Sequence, residues 1–262
     1  MTPTGWMIAV FMTTLVALVV VIRQQHRLRK AQKRILSRLA DQRSAGVYHD
    51  LNEYRQLTTF QQLHAYLRPR FILPPMRDWA ISPDFAVLLV RLIEDRRPKR
   101  IVEFGSGNST LVCAYCLERL GGGEIISIDH DPQFAARTRD ELSRHHLGAW
   151  ADVRVAELKS SAYLDDEGQP IAWYDSAVVD RLPGDIDMVI VDGPPAAGGP
   201  LVRSPALPAL SERLTHAAVL VLDDADRPGE QATLARWREA FPSMDLAFEA
   251  TEKGAAVVTV NR

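Results

Sequence analysis

Five short apolar runs, separated by longer polar or amphipathic segments, constrain the fold of this chain more than any other feature. They read RIVEF, EIISID, ADVRVAEL, DMVIVD and AVLVLDD, and helix-like segments follow the first, second, fourth and fifth of them. Runs rich in Val, Ile and Leu predict strands that are buried on both faces, as in a parallel sheet covered by helices. We therefore predict an α/β fold with a doubly wound, mostly parallel sheet.

Two other segments of the α/β part differ from this pattern. Residues 160–182, SSAYLDDEGQPIAWYDSAVVDRL, are polar and irregular, which predicts a loop or short helix rather than a central strand. The ending, MDLAFEATEKGAAVVTVNR, has two strand-like runs around a Glu-Lys-Gly turn. This pattern predicts a C-terminal antiparallel hairpin, which brings the sheet to seven strands.

The N-terminal part has the composition of a membrane anchor. Trp6–Ile22 is an uncharged run of 17 residues, at the short end of what spans a bilayer. Arg23–Arg43 then carries eight Lys or Arg and one acid, and such a basic flank marks the cytoplasmic side. We therefore predict a single-pass protein of the inner or plasma membrane whose main domain is cytoplasmic. A buried core helix is the alternative interpretation of the apolar run.

These features divide the chain into four predicted parts. They are a transmembrane signal anchor over 1–22, a basic juxtamembrane helix or stalk over 23–45, a helical connecting arm over 46–80, and the α/β domain over 81–262. A narrow apolar stripe on the stalk permits a homodimer through a short coiled coil, and the alternatives are a helix lying on anionic lipid or a solvated juxtamembrane helix. The net charge of -2 gives no indication of a nucleic-acid partner.

Acidic side chains lie at or near the ends of four predicted strands. Glu103 lies in the first strand, Asp129 ends the second, Asp192 ends the fourth, and Asp223 and Asp224 end the fifth. In an open parallel sheet the ligand lies beyond the carboxyl ends of the strands, so we predict a ligand site there. Gathered carboxylates repel one another unless a cation or hydrogen-bond donors offset the repulsion. For each acid, capping of the following helix is the alternative role.

The loop after the first strand, GSGNST over residues 105–110, has the composition of a ligand loop. Gly105 and Gly107 permit positive φ and a close approach of the ligand to the backbone. Polar side chains at the start of the next helix favour a carboxylate or phosphate; they are Ser106, Asn108 and Ser109. Asp129, 22 residues after Gly107, suits the ribose of either a dinucleotide or a nucleoside ligand, so the loop alone leaves both open.

Four motifs in chain order resemble a known family. EFGSGNST, ISIDHDP, DMVIVDGPP and VLVLDD are similar to the successive motifs of class I S-adenosylmethionine-dependent methyltransferases, over residues 81–262. The resemblance implies a Rossmann-like fold with S-adenosylmethionine as cofactor. It places the glycine loop around the methionine end, Glu103 near the ammonium group, Asp129 on the ribose, and His130 and Glu157 near the adenine. The implied cofactor-binding set is Glu103, Gly105, Ser106, Gly107, Asn108, Ser109, Asp129, His130, Glu157 and Asp192.

Asp192, Asp223 and Asp224 resemble the divalent-metal triad of the catechol O-methyltransferase type. This resemblance implies a Mg²⁺ site at these acids and catalytic roles for Asp192 and Asp223, because a metal ion lowers the pKa of an acceptor hydroxyl. That type has a lysine three residues after the first acid, where this chain has Pro195. In the alternative, Asp192 acts as a base or a hydrogen-bonding group without metal. The small-residue-rich loop after DGPP is predicted to be a lid, with Arg203 exposed to solvent.

Together, the resemblance and the predicted anchor indicate O-methylation of a small-molecule, sugar or lipid-linked acceptor near the cytoplasmic membrane face. The first alternative is a catalytically inactive, membrane-anchored cofactor-binding or scaffold protein, since no certain base is visible in the sequence. The second is an NAD-dependent Rossmann enzyme, which would use the same glycine loop for a pyrophosphate.

Overall fold

The structure is a computed structural model that describes Lys30, Tyr48 and residues 50–261. The predicted anchor, Trp6–Ile22, lies outside the described residues, as does most of the predicted stalk. Among the residues that are described, no helix is both long and apolar enough to cross a bilayer. The described residues thus give no support to the single-pass membrane location predicted from the sequence, and this location is not proposed again.

Nine strands and seven α-helices form in the described part of the chain. The strands are β1 (Arg100–Phe104), β2 (Glu124–Asp129), β3 (Ala151–Val155), β4 (Leu158–Leu164), β5 (Pro170–Tyr174), β6 (Ile186–Val191), β7 (Leu214–Asp223), β8 (Asp245–Glu249) and β9 (Ala255–Val260). The helices are α1 (50–67), α2 (Pro83–Arg96), α3 (Asn108–Leu120), α4 (Pro132–Arg144), α5 (Ser176–Val179), α6 (Ala206–Leu210) and α7 (Pro228–Ala240). The chain divides into two units, Met1–Arg55 and Gln56–Arg262, and every element from α2 onward belongs to the second.

Seven of the strands form one sheet, in the order β3-β2-β1-β6-β7-β9-β8. The first five in this order pair in parallel, and β9 and β8 continue the sheet as an antiparallel hairpin. The predicted mostly parallel, seven-stranded sheet with a terminal hairpin is therefore confirmed. The strand order reverses between β1 and β6, so a ligand crevice is expected at the carboxyl ends of these two strands.

Each central strand buries both of its faces, as its apolar composition predicts. In β1, Ile101 packs into a core with α2, α3 and α4, whereas Val102 and Phe104 pack into a second core with α5, α6 and α7. Neighbouring strand residues divide between the two cores because successive side chains of a strand point to opposite faces. Helices therefore cover both sides of the sheet.

The polar segment 160–182 differs in detail from its prediction. It stays out of the central sheet as expected, but most of it forms the antiparallel hairpin of β4 and β5, followed by α5. Ile171 and Trp173 are buried while the residues beside them along β5, Pro170 and Ala172, are exposed. This alternation is typical of a strand with one packed face.

An irregular segment, residues 68–82, joins α1 to α2. It overlaps the end of the predicted connecting arm, residues 46–80, and only the segment 68–82 is called the arm below. Its prolines, among them Pro74 and Pro75, prevent a continuous helix from forming across it.

The helix α4 begins after β2, and Asp131 caps it by accepting the N–H of Gln133 at 2.7 Å. Pro132 follows at the first position of the helix, where its missing N–H costs no hydrogen bond.

Candidate active site

The glycine loop, residues 105–110, joins β1 to α3 and touches the loop after β6. Gly105 has a φ of +95°, and a Cβ there would lie 3.3 Å from backbone atoms of Asp192 and Gly193. A Cβ on Gly193 would clash with the hydroxyl group of Tyr174 and lie 3.0 Å from the Gly105 nitrogen. Glycine is therefore required on both sides of this contact, which sets Asp192 beside the glycine loop.

Glu103 lies beneath the glycine loop. Its side chain is 0% exposed and accepts hydrogen bonds from the hydroxyl groups of Thr110, at 2.5 Å, and Ser127. The Thr110 hydroxyl accepts the N–H of Gly107 at 3.1 Å. Burial raises the pKa of Glu103 to about 7, although hydrogen bonds from hydroxyl groups oppose the rise. Glu103 thus supports the loop from below and has no exposed surface on which to bind a ligand.

Asp129 ends β2 and is bonded to the glycine loop. Its Oδ2 accepts the N–H of Ser106 at 3.0 Å and the hydroxyl of the same residue at 2.6 Å. Its Oδ1 accepts the N–H of Asp131 at 2.9 Å and lies 3.6 Å from Nδ1 of His130. Two donors fill Oδ2, whereas Oδ1 keeps acceptor capacity for a further donor.

The arm forms one wall of the site. Trp79, near its end, is 86% exposed. Contacts within the second unit that hold the arm beside the site include Asn108 Nδ2 to the Pro75 carbonyl at 2.8 Å, Arg77 to Glu252 at 2.5 Å, and Lys253 Nζ to the Asp78 carbonyl at 2.8 Å. Because Glu252 and Lys253 belong to the turn between β8 and β9, the arm and the C-terminal hairpin meet at the site.

The acids at the ends of β6 and β7 come together as predicted. One oxygen from each of Asp192, Asp223 and Asp224 lies within 4.8 Å of the others, and we call these three residues the acid cluster. Burial raises the pKa of Asp192 to about 6, although the positive charge of Arg203 opposes the rise. Burial, together with the charges of Asp192 and Asp224, raises the pKa of Asp223 well above its usual range.

Arg203 lies among these acids and is 3% exposed. Its guanidinium group donates to the backbone carbonyls of Asp192, at 2.7 Å, and Asp223, at 3.1 Å. It also lies 3.1 Å from Asp224 Oδ2 and 3.5 Å from Glu230 Oε1. The prediction of a solvated arginine on a lid is wrong, because residues 201–207 are buried against the ends of the strands.

Two cavities adjoin at the carboxyl ends of β1 and β6. One, of about 360 Å³, lies beside the glycine loop and the arm, and the other, of about 150 Å³, reaches the acid cluster and the β8–β9 turn. Both are lined by the same four residues, Trp79, Ser106, Phe134 and Asp192. The smaller cavity is also lined by Gly105, Asp129, His130, Tyr174, Arg203, Asp224, Arg227 and Lys253.

Solved methyltransferase structures share this fold. The O-methyltransferase TomG from Streptomyces achromogenes, involved in Tomaymycin synthesis and solved in complex with SAM, has a TM-score of 0.55 and 17% identity over 81% of this chain and 96% of that one. The Bacillus cereus O-methyltransferase in complex with SAH has a TM-score of 0.56 and 15% identity over 81% of this chain and 97% of that one. SAH-bound PaMTH1 from Podospora anserina has a TM-score of 0.54 and 16% identity over 78% and 88%. No curated protein matches the chain.

Residues 102–225 match the family model described as a methyltransferase domain. That span runs from β1 to the end of β7 and contains the glycine loop, Asp129 and the acid cluster. This part of the chain is an S-adenosylmethionine-dependent methyltransferase domain with the class I fold. The family that its ordered motifs resemble is therefore confirmed.

Most of the predicted cofactor-binding residues line the two cavities of this methyltransferase. Gly105, Ser106, Gly107, Asn108, Ser109, Asp129, His130 and Asp192 all do so. Two predicted residues lie elsewhere, since Glu103 is buried under the loop and Glu157 is exposed before β4. Trp79 on the arm and the buried Arg203 are among the cavity residues that were not predicted as site residues. For Arg203, the signal available in the sequence was a single arginine in an otherwise apolar, small-residue loop that lies between Asp192 and Asp223.

Proposed function

We propose that this methyltransferase transfers a methyl group from S-adenosylmethionine to an oxygen atom of a small-molecule acceptor. The observation that carries the proposal is the position of Asp192, whose side chain lines both cavities. One carboxylate thus lies where a donor beside the glycine loop and an acceptor beside the acid cluster would meet. TomG and the Bacillus cereus protein, which share the fold, are O-methyltransferases, and this supports oxygen as the acceptor atom.

The cofactor would occupy the region of the glycine loop. Backbone N–H groups at the start of α3, with Ser106 and Asn108, suit the methionine carboxylate, because a helix N-terminus attracts anions. Asp129 Oδ1 has capacity for a ribose hydroxyl, and His130, the next residue, is proposed to lie beside the adenine. Glu103 contributes by holding the loop, and Glu157 is left out of the proposed set because it lines neither cavity.

Asp192 is proposed to accept the acceptor's proton. S-adenosylmethionine, when bound, would supply the methyl group for the acceptor oxygen and would leave as S-adenosylhomocysteine. A carboxylate with a pKa of about 6 combines a usable ionised fraction at neutral pH with better proton affinity than an ordinary aspartate. Trp79 and Phe134 at the cavity rim would exclude water from the bound acceptor.

Calorimetric titration of the full chain with S-adenosylhomocysteine tests cofactor binding. We expect the wild type to bind, and Asp129→Ala to weaken binding by about tenfold or more, as for loss of a charged hydrogen bond. Asp140→Ala is the matched control, because Asp140 is an exposed carboxylate on α4. Absence of binding by a folded wild-type chain would refute the proposal.

Transfer of tritiated methyl from S-adenosylmethionine to extracted small molecules tests the reaction. Asp192→Asn should remove most of the transfer while S-adenosylhomocysteine still binds, since the amide cannot accept the proton. Equal transfer by Asp192→Asn and wild type would remove Asp192 as the base. No structural observation favours the scaffold or NAD-dependent alternatives, and Mg²⁺ is left out of the proposal because of the contacts of Arg203.

A further inference from the structure

The buried guanidinium group of Arg203 is bonded through all three of its nitrogens. Nε donates to the Pro194 carbonyl at 3.3 Å, and Nη2 donates to the carbonyl oxygen of Asp192 at 2.7 Å and lies 3.4 Å from its Oδ1. Nη1 donates to the Asp223 carbonyl at 3.1 Å and lies 3.1 Å from Asp224 Oδ2. One side chain therefore ties the loop after β6 to the end of β7, which is the place a metal ion would bridge.

The acid cluster fits a divalent ion poorly because two of its members already hold cations. Asp192 and Asp224 both face Arg203, and Asp224 Oδ2 also lies 2.7 Å from Arg227 Nη1. Only Asp223, of the three, has two carboxylate oxygens without a hydrogen-bond partner among the described residues. Mg²⁺ needs about six oxygen ligands in a regular octahedron and keeps several waters, whereas Asp223 and Asp224 are 1% and 2% exposed.

The local charge balance also disfavours a divalent ion at the acid cluster. The acid cluster and Glu230 carry four formal negative charges, and Arg203, Arg227 and Lys253 carry three positive charges among them. The excess of negative charge in this group is therefore one at most. A divalent ion added to it would make the group net positive and would repel a sulfonium donor bound nearby, at short range and in a poorly screened interior.

We propose that Arg203 is the resident cation of this active site, so that its guanidinium group takes the place of a divalent metal. It acts as a positioning residue, because its contacts with the carbonyl oxygen and the carboxylate of Asp192 hold that residue in place. Methyl transfer then requires no metal ion. The inference rests on the proposed function for its account of Asp192, but its central claim concerns which cation the acid cluster binds.

Titration of the full chain with Mn²⁺, followed by electron paramagnetic resonance, tests that claim without any acceptor. We expect the wild type to bind no Mn²⁺ at the acid cluster. Arg203→Met removes the charge at similar length and should raise Mn²⁺ affinity by at least about tenfold, because the competing charge is gone. Adding Asp223→Asn to that variant should abolish the gain. Arg236→Met, on the surface of α7, is the control and should bind no more Mn²⁺ than the wild type.

Two results would overturn the inference. One is stoichiometric Mn²⁺ binding by the wild type that Asp223→Asn removes, and this measurement decides even if Arg203→Met does not fold. The other is a folded Arg203→Met variant with no gain in Mn²⁺ affinity. Binding of S-adenosylhomocysteine is measured in parallel with and without EDTA, and wild-type binding is expected to be unchanged. Absence of S-adenosylhomocysteine binding both with and without EDTA would count against the proposed function but not against the inference about Arg203.

Discussion

Glu103 carries an ionisable group into the interior of the sheet. Its pKa is raised from 4.5 to about 7, so the folded chain holds this proton more tightly than the unfolded chain. The proton therefore stabilises the fold below pH 4.5, and this contribution is lost as the pH rises to about 7. At roughly 1.4 kcal/mol per pKa unit, the loss is about 3 kcal/mol.

Glu103→Gln should remove this pH dependence. We expect the variant and the wild type to have similar free energies of unfolding at pH 5, and the variant to be more stable by about 3 kcal/mol at pH 8. Urea unfolding at the two pH values measures the difference. Glu239→Gln, an exposed site on α7, is the control and should follow the wild type. An identical pH dependence for Glu103→Gln and wild type would contradict the raised pKa.

Single residues also mark the limit of what the sequence predicts at the site. Asp192, Asp223 and Asp224 were predictable because β6 and β7 are apolar runs, and neighbouring parallel strands end at the same edge of a sheet. The burial of Arg203 was not predictable, since it depends on how an irregular loop folds back over that edge. The sequence signal was limited to a single arginine in a small-residue loop. Its local sequence resembles that of an exposed loop.

Among the secondary-structure elements, the arm and the β8–β9 turn have the most direct effect on the site. The Arg77–Glu252 pair joins them with side chains that are 31% and 16% exposed. Because the arm holds Trp79 over the cavities, loosening this pair should weaken ligand binding more than it weakens the fold.

Glu252→Gln should therefore raise the dissociation constant for S-adenosylhomocysteine by roughly two- to fivefold, which corresponds to a partly exposed ion pair worth up to about 1 kcal/mol. Glu249→Gln is the matched control, because Glu249 pairs with Arg91 on the surface, with both side chains at least 40% exposed. Calorimetric titration measures both. Equal affinities for the two variants would show that the arm does not control access to the cofactor region.

The hairpin of β4 and β5 shows why one element was predicted incorrectly. The polar composition of this segment and its Asp-Asp-Glu-Gly turn indicated a loop. The period-two alternation that indicates a strand extends over only five residues, Pro170–Tyr174. The turn is held by Asp165, whose Oδ1 accepts the N–H groups of Glu167 and Gln169 at 2.9 and 2.8 Å. Short strands with one packed face give a weak sequence signal, whereas β1 and β6, buried on both faces, give a strong one.

At the scale of the molecule, the site draws on residues from Pro74 to Lys253. The arm, four loops that follow parallel strands, and the C-terminal hairpin must all be in place before the two cavities exist. A bound ligand should therefore stabilise the second unit as a whole rather than one part of it.

Saturation with S-adenosylhomocysteine should raise the unfolding temperature in a single transition. At a ligand concentration about 100 times the dissociation constant, the stabilisation is about 2.7 kcal/mol. For a unit of this size that corresponds to roughly 5–10 °C. Differential scanning calorimetry measures the shift, and Asp129→Ala should reduce it. A ligand that shifts only one of two separate transitions would contradict a site spread across the unit.

The burial of Arg203 also affects how this enzyme depends on its surroundings. A cation that belongs to the polypeptide is made with it, so its supply needs no uptake, storage or delivery of a metal. It cannot be removed by a chelator or exchanged for the wrong ion when metals are scarce or in excess. It changes only by mutation, which makes the charge at this position an inherited property of the chain rather than a property of the medium.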